Sequence, residues 1–141
     1  MILALDIGNT NIEIGVLPKD KDNFEIVESF RFFTKIEITA DELGIFILNY
    51  LNIKKIDYTK ISEMIFSSVV PPINRTVKEM FKSFFGDKRI IQVGENTILS
   101  IKNRYKNPKE VGSDRIVNAE AVFYTYKKNA IIVDMGTATT V

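Results

Sequence analysis

The sequence predicts a mixed α/β fold, in which antiparallel hairpin strands lead into βα units and helices cover the faces of one sheet. Three observations carry that expectation. Three strand-like segments follow one another closely before Phe33. Beyond them, short apolar runs alternate with segments of helical spacing. The chain has 141 residues, 45% hydrophobic and 26% charged, the size and balance of a domain that builds a buried core.

Ile2–Ile7 is a short apolar run punctuated by Gly8-Asn9-Thr10, as a buried strand is. Asn11–Leu17 alternates and puts Ile12, Ile14 and Val16 on one face of a half-buried strand. A polar turn over residues 18–23 then leads to a third strand over residues 24–33, completing an antiparallel meander. Thr39 is placed to cap a helix, and Glu42, three residues on, completes a capping box. Leu43, Phe46, Ile47, Tyr50 and Leu51 follow at helical spacing. Residues 64–70 read as a strand stopped by Pro71-Pro72. Ile73, Val77, Met80, Phe81, Phe84 and Phe85 mark a second amphipathic helix ending near Gly86, its phenylalanines belonging to the core. Residues 89–93 and 99–102 read as strands, and residues 114–126 as a helix with Ile116, Ala119 and Phe123 on one stripe. Lys127-Lys128 suits a solvated helix end that complements the helix dipole. Residues 130–135 form a last apolar strand. The longest irregular stretch, residues 102–115, has the length of a functional or mobile loop.

Composition removes whole classes of chemistry. Lys plus Arg number 19 and Asp plus Glu 18, a net charge of +1, which argues against a nucleic-acid partner held by phosphate contacts. No apolar run approaches the roughly 18 residues of a membrane span. The N-terminus meets Asp6 too early, and lacks a basic region, for a secretory signal. A soluble, cytoplasmic protein is expected. The sequence contains no cysteine and no histidine. Disulfides, thiolate nucleophiles, Cys/His zinc sites and a histidine base are thereby excluded, and proton transfer falls to Asp, Glu, Lys or Tyr.

One pattern occurs twice. "LDIGNTNI" near the start and "DMGTATTV" at the end both place Asp-any-Gly and small polar residues after an apolar run. An aspartate ending a buried strand is expensive unless it is paired, hydrogen-bonded or bound to a cation. Gly8 permits a tight turn with φ > 0, a turn of small residues exposes backbone N–H groups as an anion nest, and Thr10 and Asn11 can add side-chain donors. A single copy reads better as an ordinary hairpin turn, since Asn-rich turns are common. Two copies, ending in Asp6 and Asp134, suit two aspartates facing each other across a polyphosphate and its cations. Neither copy is a P-loop or a G-x-G-x-x-G fingerprint.

These paired turns resemble the actin, Hsp70 and sugar-kinase superfamily, whose ribonuclease-H-like halves grip the ATP phosphates from both sides. The intervening loop sharpens the match. Tyr105-x-x-Pro108, then Gly112-Ser113-Asp114-Arg115, then "DMGTATT", together with "DIGNTNIEIGV" and "SSVVPP", resemble type III pantothenate kinase in the family's own order. The resemblance implies an actin-like ATPase domain and ATP-dependent phosphorylation of pantothenate, the first step of coenzyme A synthesis. It implies that Asp6, Ile7, Gly8, Asn9, Thr10, Asn11, Ile12 and Glu13, with Thr137, meet ATP. It makes Asp114 the base for the pantothenate hydroxyl, and Tyr105, Gly112, Ser113, Asp114 and Arg115 the pantothenate-binding set. Asp134 would hold potassium or ammonium, and Asp6 would reach magnesium through water. A cytoplasmic homodimer is implied. The family's chains continue further, so residues 1–129 are expected to form the first domain and residues 130–141 the opening strand and turn of a second, the chain alone being inactive. On spacing alone, Asp114 also fits an N-cap paired with Arg115 at the surface, and the two roles are compatible. Alternatives are a superfamily kinase or phosphatase for another small substrate, and a nucleotide-binding regulator without turnover.

Overall fold

The computed structural model describes residues 1–20, 25–136 and 139–140. A five-stranded sheet forms the centre, built from β1 (Ile2–Ile7), β2 (Asn11–Leu17), β3 (Glu28–Phe33), β4 (Glu63–Ser68) and β5 (Arg89–Gln92) in the order β3-β2-β1-β4-β5. The first three strands are antiparallel, whereas β4 runs parallel to β1 and β5 parallel to β4. Helices α1 (Ala40–Ile53) and α2 (Asn74–Phe85) are the two crossovers, and α3 (Ser113–Tyr126) follows β5. This mixed sheet is the expected ribonuclease-H-like arrangement.

The alternation in β1 and β2 decides which face is dry. Leu3, Leu5, Ile7, Ile12, Ile14 and Val16 are buried together with Met64 and Phe66. Against them pack Leu43, Ile47 and Leu51 of α1 and Val77, Met80, Phe81 and Phe85 of α2. The capping box forms as expected: the Glu42 N–H donates to Thr39 Oγ1 at 3.2 Å, and the Thr39 N–H donates to Glu42 Oε2 at 2.8 Å. Phe46 and Tyr50 reach sideways to β3, where Tyr50 stacks on Phe30 with centroids 3.8 Å apart.

Three strand expectations need correction. The third strand begins at Glu28, not at Phe24, and Phe24 lies outside the described residues. The Val27 N–H still bonds the Val16 carbonyl at 2.8 Å. Residues 99–102 form no strand. The N–H groups of Ser100 and Ile101 donate to the Glu120 carboxylate of α3, so a side chain has taken the donors that a ladder would use. Of residues 130–135, only Asp134–Met135 (β6) is strand, pairing with Thr139–Thr140 (β7) apart from the main sheet. Ile131 and Met135 are more than four-fifths exposed. An apolar run signals burial somewhere; it does not say against what.

Gly44 lets the two core helices approach. A Cβ there would run into the Phe84 ring. Alanine would gain about 1 kcal/mol in helix propensity, while overpacking costs roughly 1–3 kcal/mol. Gly44→Ala is therefore expected to destabilise the chain by about 1 kcal/mol net and to lower Tm by several degrees. An unchanged or higher Tm would show that Phe84 swings aside without loss.

Candidate active site

β1 is the middle strand, and Asp6 stands near its carboxyl end on the face away from α1 and α2. Register places Glu13 of β2 directly beside it on one side and Ser67 of β4 on the other. The first turn of α3 brings Asp114 over the same strand ends, and β6 brings Asp134. These four acidic residues, together with Gly8, Asn9, Thr10 and Asn11, line one cleft of about 460 Å³. The cleft thus opens at the carboxyl ends of parallel strands, where open α/β sheets place their ligands.

The charges are unbalanced. Asp6 faces solvent along the cleft, yet loss of surrounding water raises its carboxyl above the ordinary aspartate range. The negative charges of Asp114, Glu13 and Asp134 push the same way. Glu13 has a partial counter-charge in Arg31, 4.0 Å away and exposed.

The turn after β1 does not use the left-handed conformation that glycine permits. Gly8 does not have positive φ; glycines 86 and 94 do. The Gly8 N–H closes the hairpin to the Asn11 carbonyl at 2.9 Å, and its own carbonyl accepts from Thr34 Oγ1 at 2.7 Å. A Cβ on residue 8 would lie 3.2 Å from the Asn11 oxygen, a tight approach, so space rather than φ favours glycine there. Ile7 and Ile12 are fully buried in the core, which leaves only their backbone to meet a ligand. Thr137 lies outside the described residues.

Helix α3 is capped by Gly112, with Ser113 and Asp114 as its first two residues. Asp114 is therefore not the N-cap. Its Oδ1 accepts from the Arg115 N–H at 2.8 Å, and its charge sits favourably at the positive end of the helix. A Cβ on residue 112 would meet that carboxylate oxygen and push the Asp114 side chain aside. Arg115 makes no ion pair with Asp114; it lines an adjoining cavity of about 400 Å³ with Ala130, Ile131 and Ile132. Tyr105 is more than half exposed on its loop and stands apart from the cleft, its N–H donating to Asn103 Oδ1 at 3.0 Å. Ser113 turns its hydroxyl toward β4, not toward the cleft.

Two residues escaped the sequence reading. Asn118 Nδ2 donates to Asp134 Oδ2 at 3.0 Å and so ties α3 to β6. Its spacing of four from Asp114 puts both on one helix face, and this was the available signal. Ser67 sits within the "SSVVPP" stretch, but its place beside Asp6 comes from the β1–β4 register. Among the described residues no three acidic groups come close enough to share one metal ion. The donor set nevertheless suits magnesium, a hard cation that keeps its waters and takes one or two carboxylates plus substrate phosphates.

The family model for type III pantothenate kinase matches residues 2–141. The chain belongs to that family. The type III pantothenate kinase of Syntrophus aciditrophicus (strain SB) is 44% identical over 140 residues, covering 99% of this chain and 53% of that one. The chain thus spans about half the length of this curated relative. Among solved structures, a protein of Cytophaga hutchinsonii assigned by likeness to the sugar kinases gives a TM-score of 0.45 at 20% identity. That match covers 65% of this chain and 35% of the other. YeaZ from Pseudomonas aeruginosa gives 0.42 at 12% identity, covering 65% and 42%.

The raised Asp6 carboxyl has a sign-definite consequence in this pantothenate kinase family member. The folded chain binds its proton more tightly than the unfolded chain, so ionising Asp6 lowers stability as pH rises from the ordinary value of 3.8 through the raised one. Asp6→Asn is expected to raise Tm at pH 7, with the gain vanishing in acid below that window. Magnesium should raise Tm of the parent chain and not of the variant. A lower Tm for Asp6→Asn at neutral pH would contradict this account of the cleft.

Proposed function

We propose that this chain carries the phosphate-side half of an ATP-dependent pantothenate kinase, which makes 4'-phosphopantothenate. The observation that carries the reading is the convergence of Asp6, the turn after it, Asp114 and Asp134 on one cleft. Phosphoryl transfer is largely positioning and charge stabilisation. The pantothenate hydroxyl oxygen attacks the γ-phosphorus, its proton passes to Asp114, and the bond to ADP breaks. Asp114 suits the role because the helix terminus holds its carboxylate and Gly112 leaves room for it. The turn at Gly8–Asn11 supplies donors to the phosphates.

Magnesium reached from Asp6 through water, and potassium or ammonium at Asp134, would neutralise phosphate charge when bound. Arg115, in the adjoining cavity, offers its planar fork to the pantothenate carboxylate. Tyr105, outside the cleft, is the assignment that the geometry supports least. Residues 1–129 act as one jaw and residues 130–141 begin the other, so the chain alone lacks turnover. The working enzyme is a cytoplasmic homodimer in this reading. Among the described residues, no helix is long and apolar enough to cross a membrane.

The test extends this chain to the length of its relatives and assays ATP-dependent phosphorylation of pantothenate. Asp114→Asn should keep the fold and ligand binding while lowering turnover roughly 10²–10⁴-fold. Turnover near that of the parent would remove Asp114 from the mechanism. The 141-residue chain assayed alongside should show no turnover. A rate within about tenfold of the extended protein, a barrier difference of only ~1.4 kcal/mol, would sink the two-jaw reading. Activity should collapse in sodium-only buffer and return with potassium, and Asp134→Asn should blunt that return. Equal rates in the two salts would refute the cation assignment.

A further inference from the structure

We propose that Ser113 is a positioning residue whose hydroxyl sets where Asp114 stands relative to Asp6. This goes beyond the pantothenate-binding role expected of Ser113 and rests on the kinase reading only for its effect on turnover. The observation behind it is how α3 is held. No side chain of α3 is fully buried, so apolar packing alone does not fix where this helix sits. Polar tethers do. Glu120 takes the N–H groups of Ser100 and Ile101, and Asn118 reaches Asp134. The tether at the catalytic end is Ser113.

Its hydroxyl uses every bond it can make. Ser113 Oγ donates to the Ser68 carbonyl at 2.8 Å. It accepts from the Ser68 N–H and from Ser67 Oγ, each at 3.0 Å. Ser68 ends β4, the strand paired with β1, and Ser67 is the register partner of Asp6. One hydroxyl thus joins the strand beside Asp6 to the residue before Asp114. Alanine at 113 would leave the part-buried Ser68 N–H without its acceptor and would free the first turn of α3. Hydrogen bonds at 2.8–3.0 Å fix the spacing tightly, and a carboxylate displaced by about 1 Å can lose roughly a hundredfold in rate.

The experiment compares Ser113→Ala and Ser113→Thr, the second keeping the hydroxyl. In this chain, amide exchange at Ser68 and Arg115 should speed up by about tenfold or more in Ser113→Ala and stay near the parent in Ser113→Thr. In the chain extended to its relatives' length, Ser113→Ala should lower kcat roughly tenfold to a hundredfold. KM for ATP should barely change, because the phosphate turn does not touch Ser113. Ser113→Thr should restore kcat to within about threefold of the parent. A kcat for Ser113→Ala within about twofold of the parent would overturn the positioning role and leave the kinase reading intact. So would a loss of stability in both variants without a separation of kcat from KM. If the extended parent itself fails to phosphorylate pantothenate, the kinase reading falls, and unchanged exchange in Ser113→Ala would then overturn the pin independently.

Discussion

A carboxylate at the end of the central strand, with other carboxylates drawn up around it, is the constraint on which the rest of the molecule depends. β1 occupies the middle of the sheet, so both of its registers act on Asp6. The antiparallel register sets Glu13 against it and the parallel register sets Ser67 against it. Both registers follow from the apolar alternation, because a slip of one residue would exchange the core face for the cleft face. The same Leu3-Leu5-Ile7 row that packs against the helices therefore aims Asp6 away from them. Like charges set directly opposite are unfavourable in a sheet. In the proposed kinase reading, a cation and a polyphosphate would relieve that repulsion.

The two faces of the sheet are built by different physics. On one, α1 and α2 enclose a dry core closed by Phe81 and Phe85 and admitted by Gly44. On the other, α3 lies over β4 on side-chain hydrogen bonds. Polar tethers are directional where apolar packing is not, and a helix held by them is placed by a few bonds whose loss is felt at once. Such a helix suits the delivery of one carboxylate to one point. The apolar residues left open around it, Ile131, Val133 and Met135 among them, belong to the segment that carries Asp134.

Family membership and site geometry bear on the molecule independently. The family match spans nearly the whole chain, while the cleft is defined by a minority of it. Asp6, Asp114 and Asp134 come together at one cleft from three separate elements. Ser113, Arg115 and Tyr105 lie on one stretch of the chain but face three different surroundings in space. A motif orders residues along the chain; a helix start then turns neighbouring side chains in different directions.

Much of this protein was legible before any coordinates. Alternation in β2, the Thr39–Glu42 capping box and the Val77-Met80-Phe81 spacing rest on local periods of two and 3.6 residues, which one chain displays by itself. So does the repeat of Asp and Gly after two apolar runs, which singled out Asp6 and Asp134. What needed the tertiary structure was every decision made between distant segments. Residues 99–102 lost their strand because Glu120 claimed their N–H groups. Asp134 proved to be tied to Asn118 because α3 passes beside β6. Gly8 proved to be favoured by the nearness of the Asn11 carbonyl rather than by a left-handed turn. Ser113 became a pin because β4 ends where α3 begins. In each case the deciding partner is a hydrogen-bonding or steric neighbour that no local period reveals.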